Sequence, residues 1–190
     1  MSKRKATLDL RPTGLKGVMI ELNMIEQSCF RGAVDVDESN AKLWRVSLNS
    51  KVLKTHGLDT LDAQLHSWAH RVRKQPVIVL ELQLAENHPH NPPFVRIVRP
   101  RFQQHTGHIT VGGSICSKLV TANGWRTDIS IESLLRCILE GMNDGGATID
   151  PTVMSAYDYT IEEARDAFKR VAVFHGWLTH AAVSYTDRSV

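Results

Sequence analysis

The 190-residue chain has only three cysteines, Cys29, Cys116 and Cys137, and none of them form a CxxC pair. So sparse and odd a set excludes a disulfide framework and suits free thiols in a reducing compartment. The chain is therefore expected in the cytoplasm or the nucleus. Long apolar runs are missing too, so no membrane partner is expected. The basic Lys3-Arg4-Lys5 has no apolar segment behind it and is not expected to act as a secretory signal. Charge of one sign is scarce: the net charge is +3, with no cluster of cations able to track phosphates. No nucleic-acid partner is expected. What is present is an ordinary hydrophobic fraction, 42%, in a chain long enough for one core with extensions.

Residues 1–13, polar and basic with Pro12, read as a flexible lead-in, and residues 179–190 as a tail. Leu15, Val18, Met19, Leu22 and Ile25 recur at helical spacing and predict a helix over 15–28. "AVDVDE" and "KLWRVSLNS" predict strands over 33–36 and 43–50. A second helix is predicted over 58–72, with Leu58, Leu61, Leu65, Trp68 and Ala69 on one face. "VIVLELQLA", 77–85, is the strongest strand pattern, and "FVRIV", 94–98, is a further strand. Between them "HPHNPP" cannot continue a ladder, because its prolines lack the N–H donor.

Residues 99–129 are irregular and glycine-dotted, a length that marks a functional loop inside a compact domain. Ile131, Leu134, Leu135, Ile138, Leu139 and Met142 then form an apolar stripe behind Ser130, a candidate N-cap, with Gly145-Gly146 ending the helix. Thr160-Ile-Glu-Glu163 matches a capping box ahead of a last helix reaching about Phe174. Strands followed by helices predict an α+β domain, an antiparallel sheet covered on one face.

Two chemistries suggest themselves. His88, His90, His105 and His108 with Cys116 are metal-ligand types, but none of the zinc spacings is present. Cys116 in "GGSICSKL" is a candidate nucleophile, with Lys118, His105, His108 and the Gly112-Gly113 backbone near it in sequence. The papain-like cysteine signature is absent. Cys29 and Cys137 read as packing residues, and Trp44, Trp68 and Trp177 as structural anchors.

Three features coincide along the chain: "HPHNPPFVRIV" after a strong strand, "GGSICSKL", then "GWRTDISIESLLRCIL". Together they resemble the ubiquitin-conjugating enzymes, and more closely the Q-type branch, over about residues 15–178. Phe174-His175-Gly176-Trp177 fits the branch's late histidine with a nearby "GW", and the helix at 58–72 fits its longer connection between strands two and three. The resemblance implies a core domain over 14–178 with the ubiquitin-conjugating fold: a four-stranded antiparallel meander, an N-terminal helix, the inserted helix and C-terminal helices.

It also implies that Cys116 accepts the C-terminus of ubiquitin from an activating enzyme as a thioester. No cofactor and no metal are implied. The acyl group passes to lysine, or by extension to Ser/Thr hydroxyls, or to a ligase of the RING type or another kind. Gly112 and Gly113 are expected to let the ubiquitin tail approach closely, and Trp125 to support the groove. The family's Asn eight residues before the cysteine is absent, and His108 stands in its place. His108 is expected to replace the missing hydrogen-bond donor, whose loss commonly costs about 3 kcal/mol of transition-state stabilisation. His175 is expected to act as general base, although the helix dipole also favours a histidine at a helix end. The family's proline after the tryptophan is replaced by Arg126, in the loop that commonly meets RING ligases. A catalytically silent member of the fold acting as a binding adaptor is the alternative; Cys116 in its G-x-I-C frame argues against it.

Overall fold

The computed structural model describes residues 12–177, so the lead-in up to residue 11 and the tail from residue 178 lie outside the described residues. Helix α1 spans Pro12–Glu26, which places the last two residues expected in the lead-in within its first turn. A proline fits there because its missing N–H has no helical partner to lose. The helix stops short of residue 28 because Ser28 turns the chain: its Oγ donates to the Ile25 carbonyl (2.7 Å) and accepts the Phe30 N–H (3.1 Å).

Strands β1 (Val34–Asp37), β2 (Asn40–Leu48), β3 (Ile78–Gln83) and β4 (Phe94–Arg99) form one antiparallel meander in chain order. The register sets Trp44 opposite Leu82 and Leu80 opposite Ile97, all buried. Two helices separate β2 from β3. Helix α3 (Asp59–Val72) is the inserted one expected, burying Leu61, Leu65 and Trp68. Helix α2 (Ser50–Thr55) was not expected; Asn49 caps it by accepting the Val52 N–H, and it buries Val52 and Leu53. Six residues are too few to show a helical period.

Helix α4 (Ile131–Asp144) buries all six residues of the predicted stripe behind a Ser130 cap. Helix α5 (Ile161–Phe174) carries the full Thr160/Glu163 capping box. The expectation of a sheet covered on one face is corrected at β3 and β4. Glu81 and Arg96 are buried on the second face and paired at 2.7 Å, and Arg96 also donates to the Tyr159 carbonyl at 2.9 Å. Arg165 reaches Gln83, and Phe168 meets Phe94 edge-on. Helix α5 and its approach thus lie on that face, and the buried charges are satisfied rather than orphaned. No helix among the described residues is long and apolar enough to cross a membrane.

The irregular stretch is ordered by hydrogen bonds rather than regular structure. Residues 108–116 fold into a tight reversal against β4: Ile97 N–H donates to the Gly113 carbonyl (2.7 Å) and Ile115 N–H to the Val95 carbonyl (3.1 Å). Within the reversal, buried Thr110 and Ser114 join through both hydroxyls (2.7 Å) and through Thr110 N–H to the Ser114 carbonyl (2.9 Å).

Candidate active site

Cys116 stands where this reversal ends. Its N–H donates to the His108 carbonyl (2.8 Å), and the next residue, Ser117, caps a short 3-10 turn, Lys118–Val120. The backbone on both sides of the thiol is therefore fixed. The side chain is half-buried, and that burial pushes the thiol pKa up. Burial favours the protonated thiol because the thiolate loses solvation.

An imidazole approaches the thiol from the end of helix α5. His175 ends α5, its N–H bonded to the Val171 carbonyl, and its Nε2 stands 3.9 Å from Cys116 Sγ. Gly176, with φ +68°, reverses the chain there, so that Trp177 N–H reaches back to the Ala172 carbonyl (2.8 Å). The Trp177 ring then stacks on His175, centroids 4.6 Å apart and 19° from parallel. Asn123, seven residues beyond the cysteine, donates to the Trp177 carbonyl at 3.3 Å. Trp177, expected as a structural anchor, thus backs the histidine as well. Neither its stack nor the Asn123 contact has a local sequence signal.

Cys116 forms part of the wall between two cavities, and His108 and His175 border both. The cavity on the α4 side, about 410 Å³, is lined by Ile115, Leu119, Leu134, Ile138 and Lys118. The cavity on the α5 side, about 450 Å³, is lined by Val111, Val171, Phe174 and Arg170. Among the described residues, neither lining contains an aspartate or a glutamate. His108 is exposed, sits in the left-handed region at φ +53°, and its ring makes no hydrogen bond among the described residues.

Gly112 and Gly113 do not stand open to an incoming tail. A Cβ at Gly112 would run into the Glu163 carbonyl oxygen, and one at Gly113 would lie 2.6 Å from the Tyr159 ring. The glycines let α5 and Tyr159 press onto the reversal, and so they hold the thiol's support rather than touch a partner. Trp125 is likewise a brace: its buried ring donates from Nε1 to the Pro89 carbonyl (2.7 Å), tying the loop after the cysteine to the HPHNPP turn. Glu21 of α1 joins the same frame, accepting the Ile131 N–H at the start of α4 (2.8 Å).

Cys137 was expected to pack, yet it is exposed and lines the α4-side cavity together with Cys116. It lies off the buried stripe of α4. Cys29 is partly buried against the core, its Sγ 3.4 Å from His56 Nε2. The four histidines of the metal alternative are not gathered: the His88 side chain is buried beside Glu21, His90 is exposed on the same turn, and His105 and His108 border the α5-side cavity. Among the described residues no three side chains of ligand type are grouped to hold an ion.

Comparison with known proteins points one way. The chain is 32% identical to ubiquitin-conjugating enzyme E2 25 of Caenorhabditis elegans over 67% of its own length, and 30% identical to human ubiquitin-conjugating enzyme E2 Q1 over 85%. The chain belongs to the ubiquitin-conjugating enzyme family, in its Q-type branch. It spans about a third of the worm protein, 34%, and 38% of human E2 Q1. The mouse form of E2 Q1 matches to the same extent, 30% identical over 85% of this chain and 38% of that one. A solved ubiquitin-conjugating enzyme from Plasmodium falciparum superposes with a TM-score of 0.49 at 19% identity, over 75% of this chain and 92% of that one. No family model matches the chain.

Proposed function

We propose that this domain carries ubiquitin as a thioester on Cys116, received from an activating enzyme in the cytoplasm or nucleus, and passes it to hydroxyl or amine acceptors or to a ligase. The observation that carries this reading is the half-buried Cys116 thiol on the wall between two cavities, with His175 Nε2 3.9 Å away.

In loading, the Cys116 proton moves to His175 Nε2 as sulfur attacks the incoming thioester carbon. The carbon–sulfur bond to the activating enzyme then breaks, and its departing thiolate takes the proton from His175. In discharge, His175 takes the acceptor's proton as its oxygen or nitrogen bonds to the carbonyl carbon. The bond to Cys116 breaks, and the proton returns to the freed sulfur. His108, exposed beside the thiol, offers a ring N–H to the developing oxyanion.

The cavity linings favour a neutral acceptor. A lysine ammonium entering either cavity meets Arg170 or Lys118 and, among the described residues, no carboxylate, so it must shed its charge first. A serine or threonine hydroxyl carries no such penalty and needs only a base.

The test is incubation with activating enzyme, ATP and ubiquitin. A reductant-sensitive adduct is expected for the unaltered chain, none for Cys116→Ala, and a reductant-resistant ester for Cys116→Ser. Absence of any adduct would leave the adaptor reading in its place.

A further inference from the structure

Arginines on this domain generally meet carboxylates. Arg96 reaches Glu81, Arg99 reaches Asp158, Arg101 reaches Glu163 and Arg126 reaches Asp128. Arg170 does not. It is exposed on α5, borders the α5-side cavity, and makes no ion pair or hydrogen bond among the described residues. Beside it stand the exposed apolar side chains of Val111 and Phe174, 50% and 84% accessible, and the cavity holds no acid among the described residues.

An acyl chain on Cys116 would have two cavities beside it. The α4-side cavity is walled by Ile115, Leu119, Leu134 and Ile138 and suits an extended tail held along apolar walls. The α5-side cavity has an apolar rim and is bordered by both the Cys116 thiol and the Arg170 guanidinium, which is unpaired among the described residues. A planar guanidinium fork pairs with a carboxylate through two parallel hydrogen bonds, which fixes orientation as well as charge.

We propose that the α5-side cavity is the acceptor subsite, and that Arg170 selects acceptor segments carrying a carboxylate side chain next to the reacting residue; this rests on the thioester reading above. Arg170 touches the acceptor's flank and not the reacting atoms, so it determines specificity and leaves the chemistry to Cys116 and His175. Val111 and Phe174 supply the landing surface that holds the flank within its reach.

The experiment uses the preformed Cys116 thioester and peptides of one length in which a single serine is flanked by glutamate, glutamine or lysine, with a parallel series on a lysine acceptor. The glutamate peptide is expected to discharge about fivefold faster than the glutamine peptide, the ceiling for a solvent-exposed ion pair, and the lysine-flanked peptide slowest. Arg170→Gln brings the glutamate-to-glutamine ratio to about one, and Arg170→Glu reverses the order. Arg73→Glu, at the end of α3 and likewise without a partner among the described residues, changes the net charge equally and leaves the ratio intact. A ratio blind to Arg170, an equal collapse in the Arg73 variant, or a reversal produced by Lys118→Glu instead overturns the subsite and leaves the thioester reading standing. A thioester that discharges onto none of the peptides overturns it as well. Failure to form the thioester at all overturns both.

Discussion

His175 lies flat against Trp177, their ring centroids 4.6 Å apart, while its Nε2 stands 3.9 Å from Cys116 Sγ. One face of the imidazole is thus occupied by an indole whose own backbone is anchored to Ala172 and Asn123. A ring so held keeps its nitrogen beside the sulfur, with no further side-chain hydrogen bond to orient it among the described residues. In the proposed mechanism the stack takes the place of the carboxylate that positions many catalytic histidines.

Trp177→Ala is therefore expected to slow discharge from the loaded thioester by up to about tenfold, the upper range for one aromatic pair. Trp177→Phe should restore most of the rate. Single-turnover discharge alongside melting temperature decides the matter. A matched fall in thermal stability and in loading would assign Trp177 to folding rather than to His175.

Burial sets the pH behaviour of Cys116. Its thiol pKa is pushed up, so at neutral pH the thiolate fraction is smaller than for a free cysteine. Alkylation by iodoacetamide, followed peptide by peptide, should rise with pH and reach half its maximum above about 8.5, the free-thiol value. The sign follows from the thiolate being the reactive form. A midpoint below that value would contradict the upward shift, and one at or below neutral pH would mean a pre-ionised thiol and remove the need for a base in loading.

Gly112→Ala tests the contact that seats α5. The new methyl would overlap the backbone carbonyl of Glu163, and backbone at a helix start cannot step aside as a side chain does. Overpacking of this kind costs about 1–3 kcal/mol, and denaturant unfolding should show at least that loss. Gly17→Ala, where nothing lies within 4 Å on helix α1, should instead gain about 0.5–1 kcal/mol.

The elements with strong periodicity were legible in the sequence. The stripe of α4, its Ser130 cap, the Thr160 box of α5 and the helix inserted before β3 all follow from local pattern. The limits of such reading show at particular residues. Helix α2 is shorter than two turns. Met19, counted on the inner face of α1, is 59% exposed, while Glu21 is buried because α4 offers its carboxylate an N–H. The cover over Glu81 and Arg96 comes from residues about 60 positions or more further on, a distance at which spacing carries no information. Cys116 meets His175 across a similar gap, 59 positions. Resemblance to a family named both residues, and only folding puts them side by side.

Helix α5 is clamped at its root and exposes its last turn. Arg101 grips Glu163 in the first turn, Tyr159 accepts the Phe102 N–H just before it, and Gly112 receives its backbone. The His175 ring and its indole backing sit at the opposite end, on the exposed last turn. Architecture of this kind separates the anchor from the tool. Under the proposed thioester transfer, side chains grafted at residues 174–177 would change what faces the thiol while leaving the contacts at the root of α5 in place.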